Sequence, residues 1–163
     1  CISSSDVDVK EVFFNSNNFP SAFSSETFGP DEWKLLDDSS STKEIFSSIQ
    51  QLNPGNLEIR KHSEKMWLLS FQSDQQNHRY YAFDPQKKSA TFLFSENPEL
   101  EKYKMSSMKP FSYSSFDGQT IHGYLSFPDS IQKPFPTIIR IHGGPFEHIS
   151  WGFHPETQFF TSR

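Results

Sequence analysis

The most specific pattern in this chain is Thr137-Ile138-Ile139-Arg140-Ile141-His142-Gly143-Gly144-Pro145. The β-branched run predicts a strand, and two glycines at its end leave backbone N–H groups with no side chain in the way. Such N–H groups can receive the negative charge that develops on a substrate oxygen, as an oxyanion hole requires. The alternative is a glycine turn between a strand and a helix, with His142 hydrogen-bonded beside it.

The residues on either side of this pattern predict a hairpin before it and a helix after it. Phe111–Ser114 and Thr120–Phe127 alternate as two strands, and Asp117-Gly118 between them is a preferred pair for a tight turn. The segment Trp151–Phe160 has apolar spacing compatible with a helix. Its Trp151 and Phe153 are expected to pack this segment onto the sheet rather than to bind substrate.

Further upstream, residues 57–94 read as four short strands joined by polar turns. The strands are predicted at Leu57–Arg60, Met66–Phe71, His78–Phe83 and Ala90–Phe94. Lys87-Lys88 belongs to the last of the turns, and Asn53-Pro54-Gly55-Asn56 predicts another turn before the first strand. This pattern favours an antiparallel β architecture and does not separate a propeller from a sandwich or a barrel. Residues 98–108 are expected to be a connector with one helical turn.

The first 44 residues are rich in serine and acidic side chains and contain short apolar runs such as Val12-Phe13-Phe14. A short helix is predicted to begin near Thr42, with Thr42 as its cap and Ile45, Phe46 and Ile49 on its apolar side.

Composition excludes several classes of protein. The chain has 163 residues, a formal net charge of −5 and a single cysteine, so a disulfide framework is excluded. The acidic balance argues against nucleic acid as a partner, and no stretch approaches the ~20 apolar residues of a membrane-spanning helix. The 18 phenylalanines carry much of the apolar content, which favours a folded core.

Several segments together resemble the prolyl oligopeptidase family of serine peptidases. The runs Met108-Lys109-Pro110-Phe111-Ser112-Tyr113, Asp117-Gly118, Ile121-His122-Gly123-Tyr124-Leu125 and Pro128 resemble its linker and first hairpin. The continuation Thr137 to Pro145, with Ser150-Trp151-Gly152-Phe153 and Gln158-Phe159-Phe160, is similar to its acylaminoacyl-peptidase and dipeptidyl-aminopeptidase-like branch.

This resemblance implies two incomplete domains. Residues 1–107 are expected to be the C-terminal blades of an all-β propeller, and residues 108–163 the N-terminal strands and first helix of an α/β-hydrolase (peptidase) domain. The family's Ser-Asp-His triad places its serine on a Gly-x-Ser-x-Gly turn, which is absent here. A chain that starts at Cys1 and ends at Arg163 is therefore expected to be a fragment without activity, poorly soluble on its own.

The resemblance also implies roles for individual residues. His142, Gly143 and Gly144 are expected to form part of an oxyanion hole, and Pro145 and Phe146 to border the substrate pocket. The implied substrates are short peptides, with no cofactor, and the full-length parent is a candidate homo-oligomer. A cytoplasmic location is favoured, while a periplasmic protein or a lipoprotein acylated at Cys1 stays open.

Some residues depart from the family pattern or suggest other sites. Arg140 stands at an apolar position of the family and needs an ionic partner or solvent, and Phe116 replaces a frequent arginine. The histidines at positions 122, 142, 148 and 154 fit no common metal-ligand spacing even with Glu147 and Glu156, so surface or structural roles are expected. Asp37-Asp38 predicts a solvated turn. Two rival functions remain: an esterase or lipase, and a non-catalytic β-repeat binding module.

Overall fold

The computed structural model describes residues 8–37, 39–52, 55–128, 134 and 136–163. Cys1, Asp38 and the Asn53-Pro54 half of a predicted turn lie outside these residues. The described residues contain three antiparallel sheets, of three, four and two strands, with two α-helices and one 3-10 helix. The chain is therefore mostly β structure.

The individual strands of the first sheet were not predicted, although the family resemblance implied β structure for residues 1–107. The sheet consists of β1 (Val9–Phe14), β2 (Pro20–Ser25) and β3 (Glu32–Leu35) in that order. The β1–β2 turn is closed by the Asn15 side chain, whose Oδ1 accepts hydrogen bonds from the backbone N–H groups of Asn17 and Phe19, each at 3.0 Å. The central strand β2 is buried from Ser21 to Ser25.

Helix α1 (Ser40–Gln50) follows this sheet, and its cap differs from the prediction. Ser39, not Thr42, is the N-cap, since its hydroxyl accepts a hydrogen bond from the backbone N–H of Thr42 at 3.4 Å. Asp37 supports this cap by accepting hydrogen bonds from the Ser39 N–H and hydroxyl, both at 2.8 Å. The helix buries Thr42, Phe46 and Ile49, so its predicted inner face is confirmed at Phe46 and Ile49.

The second sheet confirms the four predicted strands. They are β4 (Asn56–Lys61), β5 (Trp67–Gln72), β6 (Arg79–Asp84) and β7 (Ser89–Ser95), each paired antiparallel with the next. A four-stranded antiparallel meander of this kind is consistent with one blade of a propeller. The described residues close no ring of blades.

One core joins the first two sheets and α1. Its buried members are Phe13, Ala22, Phe46, Ile49, Leu57, Trp67, Leu69, Phe71 and Phe83. The Phe46 ring lies 5.6 Å from Phe13, 5.4 Å from Trp33 and 6.4 Å from Trp67, measured between ring centroids. These distances are typical of favourable edge and tilted aromatic contacts, so phenylalanine supplies much of the core, as its abundance predicted.

The structure also confirms the helical turn predicted in the connector and the hairpin predicted after it. A 3-10 helix (Pro98–Lys102) precedes β8 (Lys109–Ser114) and β9 (Thr120–Leu125), which pair in register. Gly118 in the turn has φ +82°, a value that glycine adopts without steric cost.

The last part of the chain departs from two predictions. Residues 137–141 form no strand, because no strand in the described residues pairs with them, and Ile138, Ile139 and Ile141 are exposed. Helix α2 is Pro155–Thr161 and begins later than the predicted start at Trp151. Pro155 lies in the first turn of the helix, where its missing backbone N–H costs least. Neither helix in the described residues has the length and hydropathy needed to cross a membrane.

Candidate functional site

The glycine loop, which we define as residues 142–146, is exposed throughout and turns at residues 144–146. The His142 Nδ1 atom is in hydrogen-bonding contact with the carbonyl oxygen of Gly143, and the Gly144–Pro145 peptide bond is cis. Phe146 is 97% exposed, so its ring is available to a partner. The structure thus places the five predicted site residues together on one exposed turn.

The two glycines differ in what surrounds them. A Cβ atom on Gly143 would lie 2.7 Å from Oε2 of Glu147, so the Glu147 side chain covers that position. A Cβ atom on Gly144 would meet nothing closer than the Phe146 nitrogen at 4.0 Å. The open approach to the backbone is therefore at Gly144.

The segment after the glycine loop is held by a carboxylate from the first sheet. His148 Nε2 lies 2.8 Å from Oε2 of Glu26, whose side chain is only 17% exposed. Burial raises the pKa of the Glu26 carboxyl, but the neighbouring Ser150 and His148 outweigh that effect and leave the pKa below its ordinary value. The ionised form is therefore favoured.

Other polar groups surround Glu26 at the junction between the first sheet and the β8–β9 hairpin. Lys10 Nζ lies 2.7 Å from Oδ2 of Asp31, and although burial lowers the pKa of Lys10, the bond to Asp31 raises it overall. Tyr124 of β9 has a raised pKa because it is partly buried and faces the charges of Glu26 and Asp31. This region is thus an ordered cluster of charged groups.

A buried asparagine connects the second sheet to the segment that follows the glycine loop. Asn56 Oδ1 accepts a hydrogen bond from the backbone N–H of Asp31 at 2.7 Å, and Asn56 Nδ2 donates to the carbonyl of Trp151 at 3.2 Å. The Trp151 indole N–H donates to the carbonyl of Met108 at 3.1 Å. Trp151 and Phe153 are buried, as expected of side chains that pack.

A buried glutamine makes the second connection. Gln158 Oε1 accepts from the Ser106 N–H at 2.8 Å, while Nε2 donates to the Ser106 carbonyl at 2.9 Å and the Asp74 carbonyl at 3.0 Å. The Asp74 carboxylate in turn accepts from the Met108 N–H at 2.7 Å. Helix α2, the connector and the β5–β6 loop are thereby joined through satisfied buried groups.

Arg140 has the partners that its charge requires. Its Nε lies 3.4 Å from Oε2 of Glu156, and a terminal guanidinium nitrogen lies 3.4 Å from Nδ1 of His154. The side chain is also half exposed. The expectation of a partner or solvent is therefore confirmed on both counts.

The histidines that looked close in sequence have different partners. His122 stacks on Phe28 with ring centroids 4.1 Å apart, whereas His148 contacts Glu26 and His154 Nε2 contacts the Ser150 carbonyl at 2.8 Å. Among the described residues, no group of three or more histidine, cysteine or acidic side chains is placed to hold a metal ion.

Sequence reasoning missed Glu26, Asn56 and Gln158. Asn56 was part of a turn motif, Gln158 was part of a motif of the family resemblance but had no assigned role, and Glu26 stood in no recognisable chemical pattern. Their partners lie 122, 95 and 52 residues away along the chain, respectively. No local pattern in a single sequence points to contacts at such separations.

Comparison with known proteins gives two distant relatives, and no protein-family model matches the chain. It is 27% identical over 143 residues to dipeptidyl aminopeptidase BIII of Pseudoxanthomonas mexicana, covering 82% of this chain and 20% of that protein. It is 26% identical over 119 residues to dipeptidyl peptidase family member 6 of Caenorhabditis elegans, covering 60% of this chain and 16% of that protein. Both relatives carry dipeptidyl peptidase names.

This similarity supports a dipeptidyl-peptidase-like family and a peptidase-related function. The chain spans a fifth or less of the length of these curated relatives.

Proposed function

We propose that this chain belongs to a serine peptidase of the prolyl oligopeptidase type that cleaves short peptides. The observation that carries the proposal is the open backbone approach at Gly144, on an exposed loop whose downstream end is anchored to buried groups. In this proposal residues 1–107 are propeller blades, and residues 108–163 begin the hydrolase domain.

The proposed chemistry uses a serine outside this chain. Its oxygen attacks the peptide carbonyl carbon, and the carbonyl oxygen gains the negative charge of the tetrahedral intermediate. The Gly144 N–H donates a hydrogen bond to that oxygen, a contact that strengthens as the charge develops. The histidine of the proposed triad, also outside this chain, takes the serine proton during the attack and gives it to the leaving amine, and water then hydrolyses the acyl-serine ester.

The remaining loop residues have supporting roles in this proposal. The contact of His142 with the Gly143 carbonyl restrains the Gly143–Gly144 peptide, which also carries the Gly144 N–H. Pro145 and Phe146 border the pocket for a substrate side chain, and the exposed Phe146 ring offers it an apolar surface. The names of the relatives favour release of dipeptides over removal of acylated amino acids.

The test is Gly144→Val in the full-length protein, assayed with a chromogenic dipeptidyl amide. A valine side chain at the open face obstructs the approach to the N–H, so kcat is expected to fall by about 10²–10³, the loss typical of one oxyanion donor. Gly29→Val is a matched control, because a Cβ atom at Gly29 also meets nothing within 4 Å. An unchanged kcat in Gly144→Val would contradict the oxyanion role.

A further inference from the structure

The contact between Glu26 and His148 joins the first sheet to the segment just after the glycine loop. We propose that Glu26 is a positioning residue for the glycine loop, acting through His148 to hold Gly144 where an oxyanion would form. The inference rests on the proposed function. We refer to the Glu26–His148 contact as the tether.

Glu26 is itself well fixed, so it can serve as an anchor. It directly follows β2, whose last five residues are buried, and its backbone N–H donates to the Asp8 carbonyl at 3.2 Å. Its side chain is more than four-fifths shielded from solvent. A carboxylate in such a place has little freedom to follow a moving partner.

His148 is close enough to the glycine loop to transmit this position. It lies four residues after Gly144, and its own side chain is 60% exposed, so surrounding packing does little to hold it. The next fixed point downstream is the buried Trp151, bonded to Asn56. On the upstream side, residues 136–141 are exposed and pair with no strand in the described part of the chain. The tether therefore restrains the loop from its downstream side, while Arg140 with Glu156 and His154 is the contact on the upstream side.

The charges around Glu26 keep it able to hold His148. His148 and Lys10 favour its ionised form, and Asp31, Glu58 and Tyr124 are further titratable groups of this cluster. An ionised acceptor forms stronger hydrogen bonds than a neutral one. Because Lys10 also faces Glu26, replacing His148 alone leaves the carboxylate with a compensating charge nearby.

The test compares Glu26→Ala, His148→Ala and the double variant in the full-length protein. A small displacement of a catalytic group can cost up to about 10²-fold in rate, and since Trp151 stays anchored we expect roughly a tenth of the wild-type kcat. KM is expected to change less than kcat, because the oxyanion contact acts mainly in the transition state. The double variant should be no slower than either single one, since both remove the same contact.

Two further variants separate positioning from general damage. Glu26→Gln keeps an oxygen that can accept the imidazole N–H and should restore most of kcat, whereas the exposed Glu64→Gln is a control expected to match the wild type. Hydrogen exchange of peptides covering residues 142–150 should quicken in Glu26→Ala, while β5 and β6 keep wild-type protection.

The outcomes for the tether and for the proposed function are distinguishable. A wild type that neither cleaves the dipeptidyl amide nor reacts with a serine-directed fluorophosphonate contradicts the proposed function, and the inference fails with it. An active wild type whose Glu26→Ala variant keeps full kcat and unchanged exchange over residues 142–150 overturns the tether alone. Additive losses in the double variant would also overturn it.

Discussion

At the scale of single residues, Tyr124 shows how the junction changes the chemistry of one side chain. Its phenol lies on β9 and is partly buried near the carboxylates of Glu26 and Asp31, and these surroundings raise its pKa. Burial and negative neighbours both oppose the phenolate, so the neutral form is stabilised in the folded state. The residue reports on the contact between the hairpin and the first sheet.

This shift predicts a pH dependence at the alkaline end. A group whose pKa is higher in the folded state contributes stability that is complete below its unfolded pKa, about 10 for tyrosine. That contribution is lost as the pH rises through the folded value. The free energy of unfolding of the wild type, measured in urea, should therefore fall above about pH 10. The same quantity should fall less in Tyr124→Phe.

The matched control for this measurement is Tyr103→Phe, which removes an exposed phenol. It should keep the alkaline loss of stability seen in the wild type. Identical pH profiles for Tyr124→Phe and the wild type would show that this phenol does not face the charged cluster.

Single residues also show which parts of the candidate site could be predicted from the sequence and which could not. The glycine loop was located because consecutive glycines after a β-branched run form a local pattern. The roles of Glu26 and Gln158 were not predicted, because an acidic or amide side chain acquires its role only from partners that folding brings near. The same holds for Asn56, which looked like an ordinary turn residue.

At the scale of elements, α1 illustrates a helix that was predicted with the wrong cap. Both Ser39 and Thr42 are residue types that cap helices well, and the serine-rich run leaves the choice to tertiary structure. Asp37 settles it by bonding to the N–H and hydroxyl of Ser39. The helix therefore starts earlier than the apolar pattern alone indicates.

The cap predicts the effect of Ser39→Ala. Loss of the hydroxyl removes an acceptor for the Thr42 N–H, so the free energy of unfolding should fall by about 1 kcal/mol. Urea denaturation followed by circular dichroism measures this change. Ser48→Ala, in the same helix, should be neutral or slightly stabilising because alanine favours helix interiors. Equal losses in both variants would refute the assigned cap.

Strand prediction succeeded where polar turns framed alternating apolar residues and failed elsewhere. The four strands of the second sheet have that pattern. In contrast, β2 reads Pro-Ser-Ala-Phe-Ser-Ser, which lacks β-branched residues and buries serines. Residues 137–141 have the right composition for a strand, but a strand also needs a hydrogen-bonded neighbour.

At the scale of the whole molecule, the buried amides join segments that are far apart in sequence. Gln158 satisfies three backbone groups, two of Ser106 and one of Asp74. An unsatisfied buried group costs about 1–3 kcal/mol, so this single side chain stabilises the packing of α2 against the connector. The core between the first two sheets does not include it.

This arrangement predicts a local rather than a global response to Gln158→Ala. Amide hydrogen exchange should quicken in α2 and around residues 104–108, because their mutual hydrogen bonds are lost. Protection in β5 and β6 should remain at the wild-type level. The exposed Gln86→Ala serves as a control and should change neither region. Uniform loss of protection across the molecule would show that these parts unfold together.

The contacts Asn56–Trp151, Asp74–Gln158 and Glu26–His148 all cross residue 108. A recombination event near that position would exchange one member of each pair and retain the other. In the recombined protein, one residue of each pair would come from the first sequence and its contact partner from the second. We expect the two sides of this chain to have been inherited together, and a designer of hybrid chains would need to transplant all three pairs at once.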